Sequence, residues 1–299
     1  MFAPKTVRVP ATSANLGPGF DTLGLALSLY LECSFRPANK LEIRLSGRDI
    51  DTIAVDETNL IWKTAVQVAD SERREMPAVA MDVRNNIPIG KGLGSSASAL
   101  LAGVAIANCA LGLEWDDRRI LDVAARIEGH PDNVAAAVLG SLTTSAIGSD
   151  GVTKAIRVEI PDVFSVAIVC PNFKLVTKGM RGVLPNTYSK QDTVFNLQRA
   201  TLLVAAFATG SLDVFPDALH DRMHQPYRMG QVPGLEEILS LRMPGLLGCA
   251  LSGAGPSILV LYQTGRDQTV DAVVNAFEKA GQSAEALRTT IDRDGLQVF

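Results

Sequence analysis

The spacing of apolar and polar positions divides the chain into short strands and a few longer helices. Leu41, Ile43 and Leu45 alternate with Glu42, Arg44 and Ser46, the period of two of a half-buried strand over 41–47. Residues 7–10, 79–83, 153–160 and 164–170 read as further strands, with Pro161 and Asp162 turning the chain between the last two. Residues 116–128 carry Ile120, Val123, Ala124 and Ile127 on one helical face, and 59–70 also reads as a helix. The most apolar stretch, 99–113, predicts a buried helix capped by Ser95 or Ser96. Interrupted by Asn108, it falls short of the ~20 residues that span a bilayer. The second half predicts helices over 191–208 and 269–280, and strands over 247–251, 257–262 and 284–291. Strands and helices mix without strict alternation. This predicts an α+β fold rather than a doubly wound sheet, with domains at 1–157 and 158–299.

Composition narrows the partners. The 299 residues are 47% hydrophobic and 20% charged, enough for a substantial core. A net charge of -4 without a basic patch gives no reason to expect nucleic acid. The start, MFAPKTVRVPATSANLG, lacks the charged opening and long apolar run of a signal peptide. Cys33, Cys109, Cys170 and Cys249 are far apart and show no zinc-like spacing. Together these predict a cytoplasmic protein with buried, reduced thiols and no membrane partner.

Three Gly/Ser-rich turns join apolar segments: TSANLGPGFD at 12–21, GKGLGSSAS at 90–98 and LSGAGPS at 251–257. The second carries the sharpest physical signal. Glycines let the backbone approach a ligand, and the helix that follows points free N–H groups and its positive end at whatever sits in the loop. Phosphate suits such a place, with Ser95 and Ser96 adding hydroxyls and Lys91 a positive charge. The loop is not G-x-x-x-x-G-K-[ST], because Gly92 follows Lys91, and it lacks the third glycine of a dinucleotide fingerprint. One such loop also occurs as an ordinary tight turn before a buried helix; three in one chain favour anion binding.

With these loops in view, the chain resembles the GHMP kinases. The central motif of that family, P-x-x-x-G-L-G-S-S-A, appears as Pro88-Ile-Gly-Lys-Gly-Leu-Gly-Ser-Ser-Ala97, and the C-terminal one as Leu251-Ser-Gly-Ala-Gly-Pro-Ser257. The resemblance implies two α+β domains, the first similar to the second domain of ribosomal protein S5 and the second ferredoxin-like, with ATP and an acceptor in the cleft between them. It implies that Pro88, Lys91, Gly92, Leu93, Gly94, Ser95, Ser96, Ala97 and Ser98 wrap the nucleotide's phosphates. Asn59 and Leu60 would lie on the adenine side, and Ser96 and Glu128 would hold Mg²⁺.

VRVPATSANLGPGFDTLGLAL, EGHPDNVA at 128–135, the T-x-x-x-R-x-x-L-P pattern of Thr177, Arg181, Leu184 and Pro185, and DRMHQPYR at 221–228 resemble the branch that phosphorylates L-homoserine in threonine biosynthesis. Homoserine is a zwitterion with a free hydroxyl. Its ammonium calls for a carboxylate, supplied by Asp21. Its carboxylate calls for a guanidinium fork, supplied by Arg181 and Arg228. Asn15 and Asn133 would orient the hydroxyl or nearby backbone, and Thr177 and Gly253 complete the implied acceptor set.

The implied catalytic residues are Asp132, Glu128 and Ser96, with Asp132 orienting the substrate rather than acting as a committed base. His220 and His224 lack a third metal ligand and read as surface or capping residues, while His130 reads as a loop histidine that fixes its turn. Lys91, Ala136 and Met180 stand where the family more usually has arginine, proline and alanine. The resemblance also implies a homodimer. A GHMP kinase acting on a sugar or an isoprenoid alcohol, a family decarboxylase, and a family protein that senses ligands without turnover stay open as alternatives.

Overall fold

The computed structural model describes residues 2–173, 175, 180 and 182–299. Its first sheet contains β1 (Lys5–Ala14), β2 (Leu23–Pro37), β3 (Glu42–Gly47), β4 (Val79–Asn85), β5 (Leu142–Ile147), β6 (Thr153–Val158) and β11 (Gln297–Val298). The strand order is β11-β1-β2-β4-β3. The 15-residue β2 is long enough to serve two neighbours on one side: Leu23–Leu25 pairs with β5, and Leu31–Pro37 with β4. All pairings are antiparallel except β3 with β4. The register of β1 slips between Pro10 and Ala11, the kind of break expected where proline has no N–H for the ladder.

Four helices pack together over this sheet: α1 (Leu60–Ser71), α2 (Ser95–Leu111), α3 (Asp117–Glu128) and α4 (Asp132–Leu139). α2 is buried nearly all round, as its unbroken apolar sequence requires. α1 and α3 start as the sequence suggests, with the side chains of Asn59 and Asp116 accepting from first-turn N–H groups.

The chain leaves the first sheet after β6 and enters a second, antiparallel one of order β10-β7-β9-β8, formed by β7 (Ser165–Pro171), β8 (Leu246–Leu251), β9 (Ile258–Tyr262) and β10 (Ala284–Thr289). The 153–160 and 164–170 strands flanking Pro161 and Asp162 are therefore not partners. They belong to different sheets, and the turn is the crossing. β7 is buried on both faces. Val166, Ile168 and Cys170 join the main core, while Ala167 and Val169 face a second cluster with Val273 and Phe277 of α9 (Gln268–Lys279), which is why the strand reads as an apolar run rather than an alternation. Between β7 and β8 run α5 (Lys190–Thr209), α6 (Phe215–Ala218), α7 (Gln225–Arg228) and α8 (Leu235–Ser240).

The last residues cross back. Val298 pairs with Val7, and Ile291 bridges to Leu27. A division at residue 157 would cut β6 one residue before its end at Val158, and the closing strand β11 belongs to the first sheet. Among the described residues no helix is long and apolar enough to cross a membrane. All four cysteines are free; Cys33, Cys170 and Cys249 are buried, and Cys109 is half-buried. Burial pushes the Cys33 and Cys249 thiols up to about 12 and Cys170 to about 11, which keeps them protonated and unreactive.

Candidate active site

The three Gly/Ser-rich loops, far apart in sequence, meet. The Thr12 N–H donates to the Leu93 carbonyl at 3.1 Å, the Gly253 N–H to Ala14 at 3.0 Å, and the Ser257 N–H to Lys91 at 3.2 Å. Side chains add to this. Ser252 Oγ donates to the Gly92 carbonyl at 2.7 Å, and Asn15 Nδ2 to the Gly253 carbonyl at 3.0 Å. Two glycines make the approach possible. A Cβ on Gly92 would lie 2.2 Å from the Ser252 carbonyl oxygen, and one on Gly94 2.0 Å from the Thr12 hydroxyl, and both residues have positive φ. The first loop is wound through the left-handed region at Asn15, Leu16 and Asp21. Asn15 holds it there, its carbonyl accepting from Gly19 at 2.9 Å and its Oδ1 from the Asp21 N–H at 3.0 Å. Such backbone concentrates at functional sites because the surroundings must impose it.

The loops border a cleft of about 470 Å³. α2 enters it with its N-terminus. Ser95 and Ser96 do not cap this helix: Gly94 is the cap, in the left-handed conformation, and makes no side-chain cap hydrogen bond. A helix start capped by a residue without a side chain and opening on a cavity presents donors to an anion. Ser95, Ser96 and Ala97 line the cleft, with Ser96 exposed.

Glu128 lines it from the last position of α3, 4.0 Å from the His130 ring. A carboxylate there opposes the helix dipole, at a cost of about 0.3–1 kcal/mol, and its oxygens could hold a cation in the cleft. Asp132 begins α4 and is buried; its Oδ1 accepts from the Asn133 N–H at 2.7 Å, from Asn133 Nδ2 at 3.2 Å and pairs with His130 Nδ1 at 2.9 Å. His130 thus fixes this turn through the Asp132 carboxylate. Thr12 Oγ1 donates to Asn133 Oδ1 at 2.8 Å, tying α4 to the first loop.

Asn15, Asp21, Asn59, Leu60, Gly92, Leu93, Gly94, Asn133, Arg228 and Gly253 all border the same cleft. Asn59 does so while capping α1 and donating to the Ala54 carbonyl at 2.7 Å. Other expected residues lie elsewhere. Pro88 is outside the lining. Ser98 is fully buried, its hydroxyl donating to the Pro10 carbonyl at 2.9 Å, so it fastens α2 to β1. Lys91 sends its ammonium to the carbonyls of Pro171 and Phe173 at 2.6 and 2.7 Å, so it links the loop to the end of β7 and does not border the cleft. Thr177 and Arg181 lie outside the described residues. The largest departure is His224, which is neither on the surface nor a side-chain cap: it is fully buried against the first loop.

Burial holds the His224 ring below the ordinary histidine range, and burial together with the Arg242 and Arg199 charges does the same at His220. Both are proton-poor in the folded chain, so the unfolded chain binds more protons once pH drops below about 6.5. Their contribution to stability is complete above that pH and declines below it. Urea unfolding midpoints should therefore fall on acidification from neutral pH, and replacing His224 with a residue that does not titrate should flatten the decline.

The chain matches the family models "GHMP kinases N terminal domain" over residues 59–141 and "GHMP kinases C terminal" over 203–283. It is 55% identical over 292 residues to a homoserine kinase of Solibacter usitatus, covering 98% of this chain and 96% of that one. It is 41% identical over 298 residues to a homoserine kinase of Deinococcus radiodurans, covering 99% and 97%. Among solved structures, homoserine kinase from Cytophaga hutchinsonii superposes with a TM-score of 0.86 at 25% identity, over 100% of this chain and 98% of that one. Lactococcus lactis galactokinase complexed with galactose superposes at 0.71 with 15% identity, over 98% and 95%, which speaks for the fold alone. Three converging loops, a glycine-capped helix start on the cleft and full-length similarity agree: the chain belongs to the GHMP kinase family, alongside its homoserine kinases.

Proposed function

We propose that the chain transfers the γ-phosphoryl group of ATP to the side-chain hydroxyl of L-homoserine, giving ADP and O-phospho-L-homoserine. The observation that carries this reading is one cleft bordered both by the open N-terminus of α2 and by Asp21 and Arg228, a carboxylate and a guanidinium brought together from distant segments. Phosphoryl transfer asks mainly for positioning and charge neutralisation. The first-turn N–H groups of α2 hold the phosphates. Thr52, Ile53, Asn59 and Leu60 border the part of the cleft assigned to the base.

The Ser96 hydroxyl and Glu128 carboxylate are hard oxygen donors on the same cleft and fit Mg²⁺, whose remaining positions phosphate oxygens and water can fill. Among the described residues no group of three His, Cys, Asp or Glu side chains could hold a metal unaided. When bound, the ion neutralises charge on the phosphoryl oxygens. Asp21 pairs with the acceptor's ammonium, and Arg228, with Arg181, takes its carboxylate. Asp132, held by three neighbouring polar contacts, orients the hydroxyl.

The reading includes a cytoplasmic location, which the free thiols support, and a homodimer, which rests on the family resemblance. An uncharged sugar acceptor would offer Arg228 no carboxylate, and an acidic isoprenoid acceptor would offer Asp21 no ammonium. Ser96 and Glu128 on the same cleft count against a sensor without turnover.

ADP release from Mg-ATP with L-homoserine, D-homoserine, L-serine, galactose and mevalonate tests the acceptor. Turnover selective for L-homoserine is expected. Arg181→Ala should raise KM for it roughly 10- to 100-fold, the size of a lost charge-assisted hydrogen bond. Turnover with galactose or mevalonate, indifferent to Arg181, would sink the homoserine assignment.

A further inference from the structure

His224 lies behind the cleft and does not line it, yet its ring joins the first loop to the helix that carries Arg228. Nε2 is 2.7 Å from the Gly17 carbonyl oxygen, and Nδ1 is 2.9 Å from Nη1 of Arg228. A carbonyl oxygen only accepts and a guanidinium only donates. Nε2 therefore carries the proton and Nδ1 offers its lone pair, which makes the ring neutral. The same Arg228 nitrogen donates to the Gly253 carbonyl at 3.0 Å, and Nε to Met180 at 3.3 Å. The ring also stacks on Phe20, with centroids 5.5 Å apart.

The charged groups around the ring agree with neutrality. Asp221 comes within 3.5 Å of Nε2. Its carboxylate, however, already accepts from the N–H groups of Met223, His224 and Gln225 and from Asn196 Nδ2, so it does not need an imidazolium. Asp21 faces the ring from the first loop and favours protonation, while the Arg228 charge opposes it, and full burial adds to that opposition.

We propose that His224 is a positioning residue for acceptor binding: as a neutral imidazole it holds Arg228 Nη1 against the Gly253 carbonyl and so sets the guanidinium's direction in the cleft, and protonation of Nδ1 ends that hold. This rests on the assignment of Arg228 to the acceptor's carboxylate. L-homoserine binding then weakens once pH falls far enough below the ordinary histidine range to protonate the ring, with ATP binding affected less, because among the described residues the ring's polar partners are Gly17, Arg228 and Asp221 rather than α2 or the phosphate loop.

The test compares the unaltered enzyme with His224→Asn and His224→Gln, measuring KM for L-homoserine and for ATP from about pH 8 to about pH 5.5. Asparagine can place an acceptor near the Nδ1 position; glutamine reaches towards Gly17 but leaves Nδ1 without a substitute. His224→Gln should raise KM for L-homoserine roughly tenfold or more. His224→Asn should stay nearer the unaltered value and lose the acid-side rise. Equal changes in both variants, or a rise in KM for ATP as large as that for L-homoserine, would mean general disruption and overturn the proposal. If both variants fail to fold, the unaltered enzyme decides: KM values for L-homoserine and for ATP that rise together on acidification overturn it. No turnover of L-homoserine at all would instead overturn the assigned activity, and this inference with it.

Discussion

Gly92→Ala is expected to lower kcat/KM for ATP by on the order of 10²–10³-fold, equivalent to about 3–4 kcal/mol. The glycine sits at φ +78°, with the Ser252 carbonyl oxygen 2.2 Å and the Gly255 carbonyl oxygen 2.8 Å from where a methyl would stand. Left-handed backbone at a non-glycine residue costs about 1–3 kcal/mol, and the clash is with backbone, which cannot rotate away. The loop must therefore withdraw from the 251–257 loop. It then carries the start of α2 with it and spoils the phosphate seat. Gly112 provides the control. It caps the other end of the same helix at φ +59°, with nothing within 4 Å of a built Cβ. Gly112→Ala should cost about 1 kcal/mol of stability and leave ATP kinetics alone. Steady-state ATP titrations beside thermal unfolding separate the two. If Gly92→Ala behaves like Gly112→Ala, the packed-loop account of the phosphate seat is wrong.

The loops were legible because glycine, serine and proline report a local backbone demand. Their convergence was not, because it rests on bonds such as Asn15 to Gly253 that span most of the chain. The same divide runs through the site. Ser96 and Ser98 look alike as members of one motif, yet they differ in direction on the helix: one opens on the cleft and the other is fully buried under β1. Lys91 carries a charge that suggests phosphate, and only the fold reveals two carbonyls waiting for it at the end of β7. His224 could not be placed from spacing, since its partner Gly17 lies 207 residues away.

The strand β2 is a different case. Leu23, Leu25, Leu27, Leu29, Leu31, Cys33 and Phe35 alternate without a break, so the signal was in the sequence, hidden by the apolar residues also present on the opposite face. The strand β11 gives no such signal, because two residues make no pattern and its pairing with β1 is a tertiary event.

Glu128→Gln should lower kcat on the order of 10²–10³-fold, since a metal-ion ligand that helps stabilise transition-state charge is worth several kcal/mol. It should also raise the Mg²⁺ concentration needed for half-maximal rate. The substitution keeps the size, removes the charge and turns one acceptor into a donor. Stability should change far less than activity. Glu128 ends α3 with its carboxylate at the negative end of the helix, so the helix dipole offsets about 0.3–1 kcal/mol of what its other contacts contribute. A residue that supports structure loses stability and activity together. A residue placed for catalysis loses activity with little change in the fold. Measuring kcat across a Mg²⁺ titration, beside urea unfolding of both proteins, reads both effects. A loss of stability with a proportionate loss of rate would return Glu128 to a structural role and leave Ser96 without its partner for the ion.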